Sequence, residues 1–219
     1  MGLESPPLRA DAQRNLERIL ESAWVVFADR GLNASVSDVA ERAGVGTATI
    51  FRRFPTKDDL VAAILERELE RIRDHAVAAA ESDDPAAALT EFITWAVATF
   101  IDDRCLCEAA GGELFARPRI EELFSELTVA VEQLLSRTQA AQAIRNDIVA
   151  SDIGFLVNAI GHAGMALEST APGAWRRYVG LILDGLRPEG ATPLAHDPPT
   201  ARQLHESNAK ALRPGGSRF

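Results

Sequence analysis

Two helix starts of the same kind lie close together in this chain. Ser35-Val36-Ser37-Asp38 and Thr56-Lys57-Asp58-Asp59 each set a hydroxyl three residues ahead of a carboxylate, the pairing that caps a helix N-terminus. Between them stand Gly44, which accepts a left-handed backbone, and Pro55, which cannot continue a helix. This stretch can hold only two short helices and the beginning of a longer one. The first, through Val39, Ala40 and Ala43, stops at Gly44; the second runs from about Thr47 to Phe54. The turn Ala43-Gly44-Val45-Gly46 sets them at an angle that Val45 can plug.

Ahead of this unit, Leu16, Ile19, Leu20, Ala23, Trp24, Phe27 and Ala28 fall at helical spacing and form one apolar stripe, stopped by Gly31. A long amphipathic helix followed by two short ones is the helix-turn-helix arrangement. Downstream, a helix through Leu60, Ile64, Leu65 and Leu69 reaches toward Ala80, and Asp84-Pro85 opens another. Residues 104–118, broken by Gly111-Gly112, read as a short helix and a turn. Further helices are expected at about 119–143, at 151–169 and from Trp175 to Leu186. Ala, Leu, Glu and Arg dominate, no alternating strand pattern competes, and no repeat recurs at solenoid spacing. The expectation is an all-α fold of about nine helices. It divides into a flexible tip at 1–12, a helix-turn-helix domain at 13–60, a second helical domain at 61–187, and a proline-rich, disordered tail at 188–219.

Net charge is −9, which argues against nucleic acid until its distribution is considered. Residues 1–60 carry eight Arg and Lys against nine Asp and Glu, and the stretch 42–57 holds Arg42, Arg52, Arg53 and Lys57 with no acid. A small positive face on an acidic body suits DNA approached in one orientation. No apolar run approaches the ~18 residues of a membrane helix, and residues 1–10 lack a signal-peptide core, so a cytoplasmic protein without a membrane partner is expected.

The run from Val39-Ala40-Glu41-Arg42-Ala43-Gly44-Val45-Gly46 through Thr47-Ala48-Thr49-Ile50-Phe51-Arg52-Arg53-Phe54 to Lys57 and Leu60 resembles the DNA-binding half of the tetracycline-repressor (TetR) family. Two positions depart from that family's pattern. Gly46 stands where Ser is common, and Phe51 replaces a Tyr whose hydroxyl is commonly directed at phosphate. The resemblance implies a transcriptional repressor that binds double-stranded operator DNA as a homodimer. It also implies release by a small-molecule effector held in the second domain, and pairing of the last two helices into a four-helix bundle. The residues agree on their own terms. Ser37 and Thr47 can donate to phosphate from helix starts, Thr49 can offer a methyl to thymine, and Arg52 or Arg53 can take guanine bidentately. Lys57 is placed like the family's backbone-contacting lysine. With the cap Ser35 and with Phe51, these make the candidate DNA-contacting set, while Ile50 and Phe54 read as core.

For the effector, the candidate wall is Phe92, Trp95, Phe124, Asn158, His162 and Met165, with Phe100, Phe115 and Phe155 as further large apolar side chains. Each also reads as ordinary core. Asn158 and His162, four apart on an apolar helix, are the more telling pair, because unpaired polar groups there would be costly. Gly161 and Gly164 would let another helix approach that one closely. No cofactor or metal is expected. Two alternatives stand beside this reading: a helical-bundle enzyme, for which no catalytic motif appears, and a redox- or metal-sensing regulator using Cys105 and Cys107.

Overall fold

The computed structural model describes residues 7–109, 114, 117–189, 191–200 and 203. Phe115, the side chain of Cys107 and most of the expected tail lie outside them. Nine α-helices and no strand occur among the described residues, as the all-α expectation requires. They are α1 (Pro7–Arg30), α2 (Val36–Ala43), α3 (Thr47–Arg53), α4 (Lys57–Glu81), α5 (Pro85–Asp102), α6 (Arg104–Ala109), α7 (Pro118–Ala140), α8 (Ala150–Glu168) and α9 (Trp175–Gly185).

The local signals act as the chemistry requires. Ser35 and Asp38 close a reciprocal capping box on α2, and Thr56 and Asp59 close one on α4. Gly44 ends α2 at φ 65°, where an L side chain would be strained. Asp84 caps α5 with Pro85 in its first turn.

Two cores result. Ile19, Ala23, Phe27, Val39, Ala40, Ile50 and Leu60 bury into the core of α1–α3. Leu69, Phe92, Ile93, Val97, Leu123 and Leu134 belong to the larger core of the body. Helix α4 serves both: Leu60, Val61 and Ile64 face the first, and Ala62, Leu65, Leu69 and Ile72 the second. Each large aliphatic side chain so buried contributes about 1.5–3 kcal/mol of transfer free energy. Such a helix cannot shift in one core without disturbing the other. Along the body α4 lies on α7, stitched by Glu70–Arg119 at 2.9 Å and Arg73–Glu126 at 2.5 Å, and α5 lies on α8.

Several expectations change. Helix α1 reaches back to Pro7, ahead of the boundary placed at residue 13; proline's fixed φ suits a first helical turn. Trp24 belongs to the apolar stripe by spacing, yet it sits at the stripe's margin and is 36% exposed. Helix α7 stops at Ala140, and Gln142 adopts φ 57°, a left-handed stop without a glycine to announce it. Part of the expected tail is tied down: Arg145 donates to the Thr192 carbonyl, and the Leu194 amide donates to Asp147 at 3.3 Å. Gly161 and Gly164 do admit a helix closely, but that helix is α5 of the same chain. A Cβ at Gly161 would fall 2.7 Å from Phe100 Cβ, and one at Gly164 would fall 2.6 Å from Ile101 Cδ1.

Candidate nucleic-acid interface

Ile50 is fully buried and Phe54 half-buried, and together they seat α3 on the first core. Helical geometry then turns Thr47, Ala48, Phe51 and Arg52 outward, with Arg53 also exposed and Thr49 half-buried. Phe51 is 46% exposed, unusual for so large an apolar side chain. Gly46 occupies the N-cap without a side-chain bond, and its carbonyl accepts from the Thr49 amide at 2.9 Å. The first turn of α3 thus keeps free amides beside the Thr47 hydroxyl, where the helix dipole favours anions. Neither Arg52 nor Arg53 is held in an ion pair among the described residues, so both guanidinium groups are available to a ligand. Ser37 and Arg42 are exposed on α2.

Two members of the candidate set are engaged internally. The Ser35 hydroxyl donates to Asp38 at 2.7 Å and accepts the Asp38 amide, so its first task is the cap. These Ser35 bonds, with Arg30 beside them, hold the Asp38 carboxyl below the usual range. Lys57 is half-buried; its ammonium donates to the Leu32 carbonyl and lies 5.6 Å from the Phe27 ring centroid. The turn that follows α1 is thereby fastened to the start of α4.

Comparison with known proteins agrees with this geometry. The family model for bacterial regulatory proteins of the tetR family matches residues 19–64, and that of the SbtR-like transcriptional regulator C-terminal domain matches residues 84–188. A solved TetR transcription regulatory protein from Mycobacterium vanbaalenii is 34% identical, covering 83% of this chain and 99% of its own, with a TM-score of 0.62. The chain belongs to the TetR family. A TetR transcriptional regulator from Streptomyces coelicolor is 28% identical over 78% of this chain and 98% of its own, at a TM-score of 0.60. An HTH-type transcriptional regulator of Staphylococcus aureus (strain USA300) is 35% identical over 69 residues, 31% of this chain and 37% of that relative's length. The protein is accordingly a TetR-family transcriptional regulator.

In the body of this TetR-family regulator, the candidate effector residues are divided: Phe92 and Trp95 lie together, their centroids 6.5 Å apart, while Asn158 and His162 belong to another contact. Phe92 is buried, and Trp95 stacks on His75 of α4, centroids 4.0 Å apart and planes 2° from parallel. Arg71 lies 5.0 Å from the Trp95 centroid, and its guanidinium also binds the buried Glu68 at 2.7 Å. Sequence reading passed over His75 and Arg71, although their four-residue spacing on one helix could have flagged a shared partner. Phe100 and His162 form a second contact at 6.4 Å between α5 and α8. His162 Nδ1 lies 3.0 Å from the backbone carbonyl of Asn158, so this polar pair is joined through its own helix. Phe124 and Met165 are half-buried, while Phe155 is 56% exposed on the outer face of α8. An open groove between α4 and α7, lined by Val77, Ala80, Val129 and Glu132 among others, includes none of the candidate residues.

Cys105 is buried and packed in the first core. No group of three or more His, Cys, Asp or Glu placed to hold a metal occurs among the described residues, and none of their helices is long and apolar enough to cross a membrane.

Proposed function

We propose that this regulator binds operator DNA as a homodimer and acts by binding rather than catalysis, as a repressor in the cytoplasm. The observation that carries the reading is the outer face of α3, where exposed Thr47, Ala48, Phe51, Arg52 and Arg53 stand within an acid-free stretch. In a major groove such a face supplies hydroxyls to phosphate, apolar surface to thymine methyls and guanidinium forks to guanine. Thr49 and Ser37 contribute at its edge; Ser35 and Lys57 hold the unit while facing the same backbone.

The dimer is assigned to α8 and α9. Phe155 on α8 and Tyr178 and Leu181 on α9 are 56%, 49% and 58% exposed, leaving large apolar side chains bare on each of the last two helices. Pairing these helices with a second copy presents two α3 helices, which need centres about 34–36 Å apart to read successive half-sites. A small-molecule effector in the body, drawing on Phe92, Trp95, Phe124, Asn158, His162 and Met165, favours a form in which that spacing is lost. A difference of a few kcal/mol in its affinity for the two forms suffices. Helix α4, rooted in both cores, carries the change.

The test is binding of the purified protein to its own upstream DNA, followed by anisotropy across a salt series, with mass in solution measured alongside. Specific binding by a dimer, weakening steeply with salt, is expected. Absence of specific binding to any genomic fragment at low salt overturns the reading. A library screen for compounds that raise the melting temperature then finds the effector.

A further inference from the structure

The junction between α5 and α6 touches three parts of the molecule at once. Asp103 ends α5, its amide donating to the Thr99 carbonyl at 3.1 Å, and it caps α6 by accepting the Leu106 amide on Oδ1 at 2.9 Å. Its other oxygen, Oδ2, accepts the indole N–H of Trp24 at 3.1 Å, across to α1 of the DNA-binding unit. The next residues of α6 diverge: Cys105, 2% exposed, enters the core of the DNA-binding unit, and Leu106, 3% exposed, enters the core of the body.

This junction is a second attachment between unit and body, and the Arg117–Asp59 bond at 3.0 Å, beside the start of α4, is a third. The first is the chain itself, where α3 runs into α4 and Lys57 grips Leu32. A unit held at one end of one helix keeps freedom to pivot, and motion between packed units is the ordinary outcome of a small contact. A contact off that axis removes the freedom. Asp103 is suited to the task because it is 3% exposed and its two oxygens bind donors on different elements. A buried carboxylate bonded on both oxygens leaves neither donor room to wander without an unpaired group.

We propose that Asp103 and Trp24 are positioning residues that set the angle at which the helix-turn-helix unit is presented to DNA, with Cys105 as the packed anchor beside them. The proposal rests on the DNA-binding reading for its consequence, but the latch itself is tested without DNA.

The informative variant is the pair Trp24→Phe with Asp103→Asn. Asn keeps one oxygen for the Leu106 amide, so the α6 cap survives, and Phe removes the donor that would otherwise meet the new amide N–H. The double variant should fold and melt somewhat below the parent, because the Asn amide N–H has no acceptor, and the two are compared at temperatures equally far below their midpoints. In amide hydrogen exchange, α1 and α2 should exchange faster while α4, α5, α7 and α8 keep their protection. On operator DNA whose half-site spacing is varied one base pair at a time, the parent should show a sharp optimum. The double variant should show a flattened profile and roughly tenfold weaker binding at the optimum. A purely structural pair would not alter spacing preference at matched stability. Unchanged exchange in α1 and α2 overturns the proposal, and so does loss of protection throughout the molecule. A spacing profile identical to the parent's also overturns it. Failure of the parent to bind any DNA would instead remove the DNA-binding reading, leaving hydrogen exchange to judge the latch.

Discussion

Arg117, at the N-cap of α7, donates from Nη1 to Oδ1 of Asp59 at 3.0 Å, while the other oxygen of that carboxylate caps α4 through the Thr56 amide and hydroxyl. One side chain thus joins the regulatory body to the first turn of the helix that leaves the recognition unit. The Thr56 hydroxyl, and after it Arg117, hold the Asp59 carboxyl below its usual range. A carboxylate with a lowered native pKa stabilises the fold above its unfolded pKa, and that contribution fades as pH falls through the native value. Asp59→Asn should therefore melt below the parent at pH 7, and the gap should close below about pH 4. A gap independent of pH would show that the charge at Asp59 is not what matters.

Asp103 should show the opposite sign. Burial pushes its carboxyl up, with the nearby Glu68 charge adding to the effect against the bonds from Leu106 and Trp24. The native state then holds this proton to higher pH than the unfolded chain does. Its contribution is greatest below the unfolded pKa, about 3.9, and is lost as pH rises through the raised native value. Denaturant midpoints measured upward from pH 4 should lose this component in Trp24→Phe/Asp103→Asn. Equal slopes in parent and variant would contradict the assignment.

Three glycines of α8 should respond differently to alanine. Gly154 has nothing within 4 Å of a built Cβ, so Gly154→Ala should stabilise by up to about 1 kcal/mol through helix propensity. At Gly161 the obstacle is Phe100 Cβ, fixed to the backbone of α5, and overpacking should cost about 1–3 kcal/mol. At Gly164 the nearest atom is the movable end of Ile101, so the change should lie between these two. Urea midpoints of the three variants give the order directly, and a reversed order would refute the α5–α8 contact.

Recognition can be divided between two basic residues. Arg53→Ala should cost about 1–3 kcal/mol of operator discrimination, whereas Lys57→Ala should weaken all sequences alike. Because Lys57 also grips the Leu32 carbonyl, its replacement should lower the melting temperature as well. Competition between operator and random DNA separates these effects. Unaltered discrimination in Arg53→Ala would move base reading to Arg52 and its exposed neighbours.

Helix starts and stops were legible in the sequence because their causes lie within a few residues. Ser35 reaches Asp38, Thr56 reaches Asp59, and Gly44 needs only its own backbone freedom. The family motif was legible for a related reason, since the outward residues of α3 are selected by helical spacing around Ile50. By contrast, Gln142 takes a left-handed angle that its residue type does not announce.

What the sequence by itself determined was the helical inventory, the recognition helix and the sign of its charge. Tertiary packing alone decided which helix fills the notches at Gly161 and Gly164. It decided also that the candidate effector residues are divided between separate contacts, and that Asp59 meets Arg117 and Trp24 meets Asp103. Those pairs lie 58 and 79 residues apart in the chain. Periodicity says which face of a helix is buried, but not which other face it is buried against; that choice is made by the collective packing of both cores.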